Sequence, residues 1–432
     1  MPVTTAALSH AEDLADFVAA SPSSYHAAEE VARRLEAAGF ARLDEAEAWP
    51  VQPGGRFVVV RDGAAIAWAV PAGARSTSAV NVFGAHTDSP GFKLKPKPTT
   101  GAHGWLQAGV EVYGGPLLNS WLDRELRLAG RLVLDDGSVT LAATGPLLRL
   151  PQLAIHLDRG ANEGFTLDRQ VQTQPVWGLG EPASADLLAE VASTAGVDPE
   201  RIRGFDLVVA DSARGAVFGA GDAFFASGRL DDLASVHAGV VALAEAAESI
   251  AASGTDSPIA VLGAFDHEEL GSESRSGAAG PFLEDVLERV YASLGAGVEE
   301  RRRAFASSWC LSSDVGHSVH PNYAGKHDPV VKPLLGSGPI LKINANQRYA
   351  TDAVGAAAFA GWCEAAGVAY QEFVSNNAVP CGSTIGPITA TRLGLRTVDV
   401  GIPILSMHSA RELAGVADLH ALAAVAGEFF TV

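Results

Sequence analysis

Two periodicities of apolar and polar positions alternate along this chain. Residues 9–20 and 25–38 carry helical spacing, the first run broken by Ser21-Pro22-Ser23 and the second stopped by Gly39. Runs at 56–61 and 65–70 read as strands, and 79–86 is an apolar strand that ends in His86-Thr87-Asp88-Ser89. From about residue 92 to 225 the texture changes to Gly, Pro and short alternating runs (126–134, 138–143, 147–150), with one helical stretch near 183–195. The earlier rhythm then returns. An alanine-rich helix runs from Asp231-Asp232 to about 251, and an apolar strand over 259–265 ends in Asp266-His267-Glu268-Glu269. Helices are predicted at 281–294, 298–306 and 352–366, and strands at 308–313, 340–343, 370–373 and 396–402. A turn at 381–387 enters a short helix, and Met407-His408-Ser409 precedes a C-terminal helix.

Strands alternating with helices predict an α/β fold with a mixed, mostly parallel central sheet flanked by helices. The α/β domain is expected to be discontinuous, residues 1–91 and 226–432, interrupted by a β-rich domain over 92–225. A chain of 432 residues is long enough for both, and 47% hydrophobic with 19% charged residues describes a well-buried globular protein. The net charge of −19 argues against a nucleic-acid or anionic-membrane partner. Cys310, Cys363 and Cys381 form no disulfide framework, which suits a reducing cytoplasm. The first residues show no basic region leading into an apolar core, so no signal peptide is expected, and no uninterrupted apolar run reaches the roughly 20 residues that span a bilayer.

Chemistry collects at the predicted carboxyl ends of strands, where ligands gather in open α/β sheets. His86 and Asp88 are two apart, so in an extended segment they point the same way and the acid can hold the far ring nitrogen of a metal-bound imidazole. Adjacent Glu268 and Glu269 offer one metal ligand and one general base. Each feature alone has an ordinary reading: solvated carboxylates, a helix cap at Asp231-Asp232, a structural His-x-Asp. Together, His86, Asp231, Glu269, Asp314 and His408 are an oxygen- and nitrogen-rich set without a thiolate, suited to zinc. Five ligands exceed one catalytic zinc and suit two if a carboxylate bridges them, about 3.5–4 Å apart. Glu268 is then left as an uncoordinated base.

The blocks Ala85-His-Thr-Asp-Ser-Pro-Gly-Phe92, Arg229-Leu-Asp231, Asp266-His-Glu-Glu-Leu-Gly-Ser-Glu273, Ser313-Asp-Val-Gly-His-Ser-Val-His-Pro-Asn-Tyr323, Gln347-Arg-Tyr-Ala350, Pro380-Cys-Gly-Ser-Thr-Ile-Gly-Pro387 and Met407-His-Ser409 stand in order along nearly the whole chain. In these blocks the chain resembles the aspartyl aminopeptidases, the M18 family of dinuclear zinc exopeptidases. The resemblance implies a zinc-exopeptidase fold with two Zn²⁺ per subunit, Mn²⁺ or Co²⁺ being possible substitutes. Asp231 would bridge, with Asp232 as the alternative, and a cis peptide would join the two. His86 and Asp314 would complete one zinc, Glu269 and His408 the other. Glu268 would take the proton of the attacking water and return it to the leaving amine, and Asp88 would orient His86.

Substrates would be short peptides with a free acidic N-terminus, selected by Lys342 first and His317 second. The 92–225 domain would mediate dimerisation, carry His156 into the neighbouring subunit's site, and build a homo-oligomer, a dodecamer in the family. Two rivals share the ligand set: a dinuclear aminopeptidase of broad or neutral specificity, and a catalytically silent scaffold of the same fold.

Overall fold

The computed structural model describes residues 1–50 and 52–432. Its main sheet has nine strands in the order Ala41–Arg42, Arg56–Arg61, Ala64–Ala69, Ile259–Phe265, Val80–His86, Trp309–Ser313, Arg396–Gly401, Ile340–Lys342, Gln371–Phe373. The run from Ile259–Phe265 to Arg396–Gly401 is parallel throughout. On either side the direction reverses, where Ala64–Ala69 and Ile340–Lys342 pair antiparallel with it. The sheet is therefore mixed, with parallel pairing concentrated in its middle. One cause is local: Arg56–Arg61 and Ala64–Ala69 are joined by Asp62-Gly63 alone, with Asp62 at φ 56°, and a two-residue connection can only make an antiparallel hairpin.

The central strands are buried along their whole length because each feeds two cores. Successive side chains alternate faces. Phe83, Ala85, Ala260, Leu262 and Ala264 pack on one side with the helices Thr5–Ala20, Ser24–Ala37, Leu230–Ala252 and Val416–Thr431. Val80, Val82, Ile259 and Val261 pack on the other with Phe282–Ser293, Val298–Ala306 and Ile385–Leu393. The helix Leu230–Ala252 is long and apolar enough by length and composition to cross a membrane, yet most of it is buried inside the fold. The first helix begins four residues earlier than its apolar pattern suggests, because the Thr4 side chain accepts the Ala7 N–H and caps it.

A second sheet, built from Gly91–Thr100, Trp105–Tyr113, Glu125–Leu134, Val139–Ala143, Leu148–Arg149, Val176–Leu179 and Ile202–Asp211, closes on itself. The closure is the antiparallel pairing of Ile202–Asp211 with Glu125–Leu134, which leaves a six-stranded barrel around its own apolar core. A third sheet has five strands, Ala216–Phe218, Phe224–Ser227, Glu412–Gly415, Pro403–Leu405 and Gly316–His317. It ties the segment that follows the barrel to the C-terminal part of the chain.

Candidate metal centre

Three parallel strand ends, one helix start and one turn converge on a single cleft. His86 is the last residue of Val80–His86 and is paired in register with Phe265, so Asp266 to Glu269 emerge beside it. Asp314 follows Trp309–Ser313, with its N–H held by the Val400 carbonyl at 3.1 Å. Asp231 and Asp232 open the helix Leu230–Ala252 with non-helical backbone rather than as an ordinary cap, and the peptide between them is cis. His408 stands at φ 66° in the turn between Pro403–Leu405 and Glu412–Gly415.

The side chains make three overlapping donor sets, each with its atoms within 4.8 Å of one another: His86, Asp231 and Asp314; Asp231, Glu269 and His408; His86, Glu268 and Glu269. Asp231 belongs to the first two and Asp232 to none. One oxygen of Asp231 faces His86 Nε2 at 3.1 Å, and the other faces His408 Nε2 at 3.4 Å. Glu269 Oε2 lies 3.5 Å from His408 Nε2, and Asp314 Oδ1 lies 4.0 Å from His86 Nε2. Asp232 instead accepts the backbone N–H of His86 at 3.2 Å.

Both imidazoles are oriented through the opposite nitrogen. His86 Nδ1 meets the Asp88 carbonyl at 3.0 Å and the Asp88 carboxylate at 3.4 Å, and His408 Nδ1 meets the Gly115 carbonyl at 3.0 Å. A proton on each Nδ1 leaves each Nε2 as a lone pair directed at carboxylate oxygens, an arrangement that a cation between them resolves. The carboxylates say the same. Burial, then the Asp231 charge, raises Glu269, and its Oε1 has no hydrogen-bond partner. Burial and the neighbouring acids push Glu268 up to about 8. Burial also disfavours the Asp231 anion, but the His408 and His86 imidazoles outweigh it and hold that carboxyl below its usual range. Lys342 is the only Lys or Arg paired with a carboxylate of these sets among the described residues, 3.8 Å from Asp314 Oδ2. So much buried negative charge with so little compensation fits metal binding. The oxygen and imidazole donors are those of a catalytic zinc site.

The remaining expected residues lie in different places. Asp88 does more than hold His86: it also accepts the N–H groups of Glu268 and Glu269, at 3.0 and 3.2 Å, and the Tyr113 hydroxyl at 2.8 Å. Lys342 is buried at 2% exposure, donating to the Val315 carbonyl at 2.8 Å, with its ammonium 5.4 Å from the Tyr349 ring centre. His317 is exposed beside the cleft, within reach of the Lys342 charge, which opposes its protonation. His156 is exposed in the loop after Leu148–Arg149 and belongs to none of the donor sets. Sequence reasoning missed Glu412. Its carboxylate accepts the N–H of His408 at 2.7 Å and of Asp231 at 2.9 Å, tying two ligand-bearing turns together.

The family model for aminopeptidase I zinc metalloproteases (M18) matches residues 17–430. A probable M18 family aminopeptidase 2 of Streptomyces coelicolor is 54% identical over 418 residues, 96% of each chain. Its counterpart in Pseudomonas aeruginosa is 44% identical over 437 residues, 97% of each. Among solved structures, the chain in the complex of Ape4 with Nbr1 superposes with a TM-score of 0.94 at 36% identity, over 100% of this chain and 87% of that one. prApe1 gives 0.92 at 31%, over 98% and 93%. The S. cerevisiae mApe1 dodecamer gives 0.85 at 29%, over 97% and 96%. With its mixed α/β fold, its donor sets and these relatives, the chain belongs to the M18 family of zinc metallo-aminopeptidases.

Proposed function

We propose that the protein removes acidic residues, Asp or Glu, from the N-terminus of short peptides, using two zinc ions. The observation that carries the two-ion reading is Asp231, whose two oxygens each face a different imidazole. Asp231 would be shared between the ions, with His86 and Asp314 holding one and Glu269 and His408 the other. Bound there, zinc supplies Lewis acidity, acidifying a water and polarising the scissile carbonyl. Glu268 is the base. Its carboxyl stands in a donor set with His86 and Glu269 but would add a fourth acid to the three, Asp231, Glu269 and Asp314, already offered by the other two sets. It takes the water's proton and delivers it to the leaving amine. Asp88 keeps His86 in the required tautomer and fixes the turn that carries Glu268.

Lys342 and His317 supply the acid preference. A substrate carboxylate reaching a buried ammonium leaves water entirely, and a neutral side chain there leaves that charge with less compensation. One observation favours broad specificity instead: the Lys342 ammonium already serves the Val315 carbonyl and Asp314. Initial rates on matched dipeptides with N-terminal Asp, Glu, Leu and Ala, before and after chelation and zinc readdition, decide between them. The acid reading expects Lys342→Met to cost Asp and Glu substrates at least about tenfold more than Leu or Ala; equal losses discard it. Glu268→Gln should lower kcat by roughly 10²–10⁴-fold with zinc content unchanged, and an active variant would refute the base.

The module over residues 92–225 is the proposed dimerisation domain of a homo-oligomer, up to a dodecamer as in the yeast relative. Its loop exposes Leu157 at 76%, Val171 at 70% and Ile155 at 46%, apolar surface of the kind buried between subunits, and carries His156 toward a partner's cleft. Three free thiols, two of them buried, fit a reducing compartment such as the cytoplasm.

A further inference from the structure

Behind the metal centre, between the barrel and the turn joining the first two helices, lies a cavity of about 120 Å³. None of His86, Asp231, Glu268, Glu269, Asp314 and His408 lines it, so it is separate from the cleft. Its walls are divided by chemistry. Val18, Pro22, Phe92 and Trp121 give an apolar side, the last two meeting edge to face at 5.4 Å. Arg127 and Arg229 give a cationic side.

Neither guanidinium has a carboxylate partner among the described residues. Arg127 donates to the Ala19 carbonyl at 3.1 Å, and its Nε is buried without an acceptor. Arg229 donates to the Thr87 carbonyl and, at 3.4 Å, to Ser89 Oγ, and its Nη1 is likewise buried and unpartnered. The other charges around the cavity are engaged elsewhere. Lys93 pairs with Asp206, Arg214 with Glu12 and Asp16, and Asp211 with Arg124 and Arg411. Asp88 and Asp266 lie toward the metal-centre end, Asp88 saturated by Tyr113 and the Glu268 and Glu269 N–H groups. Asp88 and Asp266 are also the acids whose charges act on Arg229, and Asp211 acts on Arg127. His26, hydrogen-bonded to Ser23, is pushed down to about 4 by burial and by the charges of Arg229 and Arg127. Two guanidinium nitrogens buried without an acceptor beside one space call for an acceptor, and guanidinium matches carboxylate geometry.

We propose that this cavity binds a small organic carboxylate, its head held by Arg127 and Arg229 and its apolar body against Phe92 and Trp121. Occupancy would reach the metal centre through covalent and hydrogen-bonded neighbours. Arg229 is two residues from Asp231, and Ser89, which Arg229 contacts, donates to the Asp231 carbonyl at 2.6 Å. The ligand would stiffen that turn.

Benzoate is the probe, titrated into the zinc-loaded full-length protein by calorimetry and by thermal shift, against sodium chloride at equal ionic strength and against neutral benzamide. The proposal expects saturable benzoate binding with a rise in Tm, and affinity for benzamide at least about tenfold lower. Arg127→Met should weaken benzoate about tenfold or more, while Arg127→Lys, which keeps the charge, should retain part of the affinity. Ala210→Leu, which narrows the cavity from the barrel side, should also weaken it and carries the test should Arg127→Met fail to fold. No saturable binding, or an isotherm that neither Arg127→Met nor Ala210→Leu moves, overturns the proposal; the latter would place benzoate at the metal cleft.

Discussion

Asp88→Asn changes one atom and no volume, yet it should cripple the metal centre. The carboxylate accepts on both oxygens: Oδ1 from the Glu268 N–H and toward His86 Nδ1, Oδ2 from the Glu269 N–H and the Tyr113 hydroxyl. An amide has one acceptor oxygen. Kept at the Tyr113 side, it turns its NH₂ toward the Glu268 N–H, donor against donor. The same NH₂ also faces the His86 Nδ1–H, again donor against donor, so the ring keeps only the Asp88 carbonyl at 3.0 Å and loses the carboxylate that supports its basicity. One charge-assisted hydrogen bond lost in a buried place is worth about 1.5–3 kcal/mol. At 1.4 kcal/mol per factor of ten, that is roughly 10–100-fold in zinc affinity, the range found for second-shell partners of metal ligands. The assay is zinc affinity by competition with a chromophoric chelator, followed by kcat/KM at saturating zinc. Tyr113→Phe, which removes one neutral donor to the same carboxylate, should cost less in both. Wild-type zinc affinity and activity in Asp88→Asn would refute the role given to this carboxylate.

Further predictions rest on other parts of the fold. A Cβ on Gly401 would overlap the Asp314 carbonyl oxygen across the sheet, so Gly401→Ala should destabilise by about 1–3 kcal/mol and lower zinc content, read by denaturant unfolding and metal analysis. His10 is held neutral, with burial, then His237 and His420, pushing it down to about 3. An unfolded histidine takes a proton near pH 6.5, so this contribution is complete above pH 6.5 and is lost as pH falls toward 3, by about 2 kcal/mol at pH 5. His10→Gln should therefore show a shallower fall of Tm between pH 7 and 5 than the parent, and an identical slope would count against it. Leu157→Asp should shift the protein to smaller species in size-exclusion chromatography, whereas an unchanged elution volume would remove that loop from the proposed interface.

The cleft was legible in the sequence because parallel strands deliver their C-terminal residues to one edge. An apolar run that stops abruptly at His86, Asp266 or Ser313 announces the place and the chemistry together. Glu412 carries no such signal. It lies on an antiparallel strand of the third sheet, and what makes it important is a pairing between segments far apart in sequence. Tyr113 and the Gly115 carbonyl reach the site from the barrel for the same reason. Barrel closure was equally hidden, since the joining of Ile202–Asp211 to Glu125–Leu134 is a non-local pairing between two ordinary alternating runs. The direction of the outer strands of the main sheet was open to reading only at the two-residue Asp62-Gly63 connection. The burial of Lys342 follows from its place at the end of Ile340–Lys342, between Val315 and Tyr349, which spacing alone does not reveal.

The position of Glu412 also sets where this chain can grow. Glu412 is paired with Ser227 across the third sheet, and Phe224–Ser227 runs directly into Arg229 and Asp231. Because neighbouring residues on a strand face opposite ways, a slip of one residue in that pairing would turn Glu412 away from both backbone N–H groups it holds. One extra residue within 224–231 or 406–412 is therefore enough to undo the cleft. An extra stretch in the exposed loop around 153–171, by contrast, leaves that pairing untouched. Extra residues there would be registered at the proposed subunit interface, where Ile155, Leu157 and Val171 are exposed, and not through the Glu412 pairing.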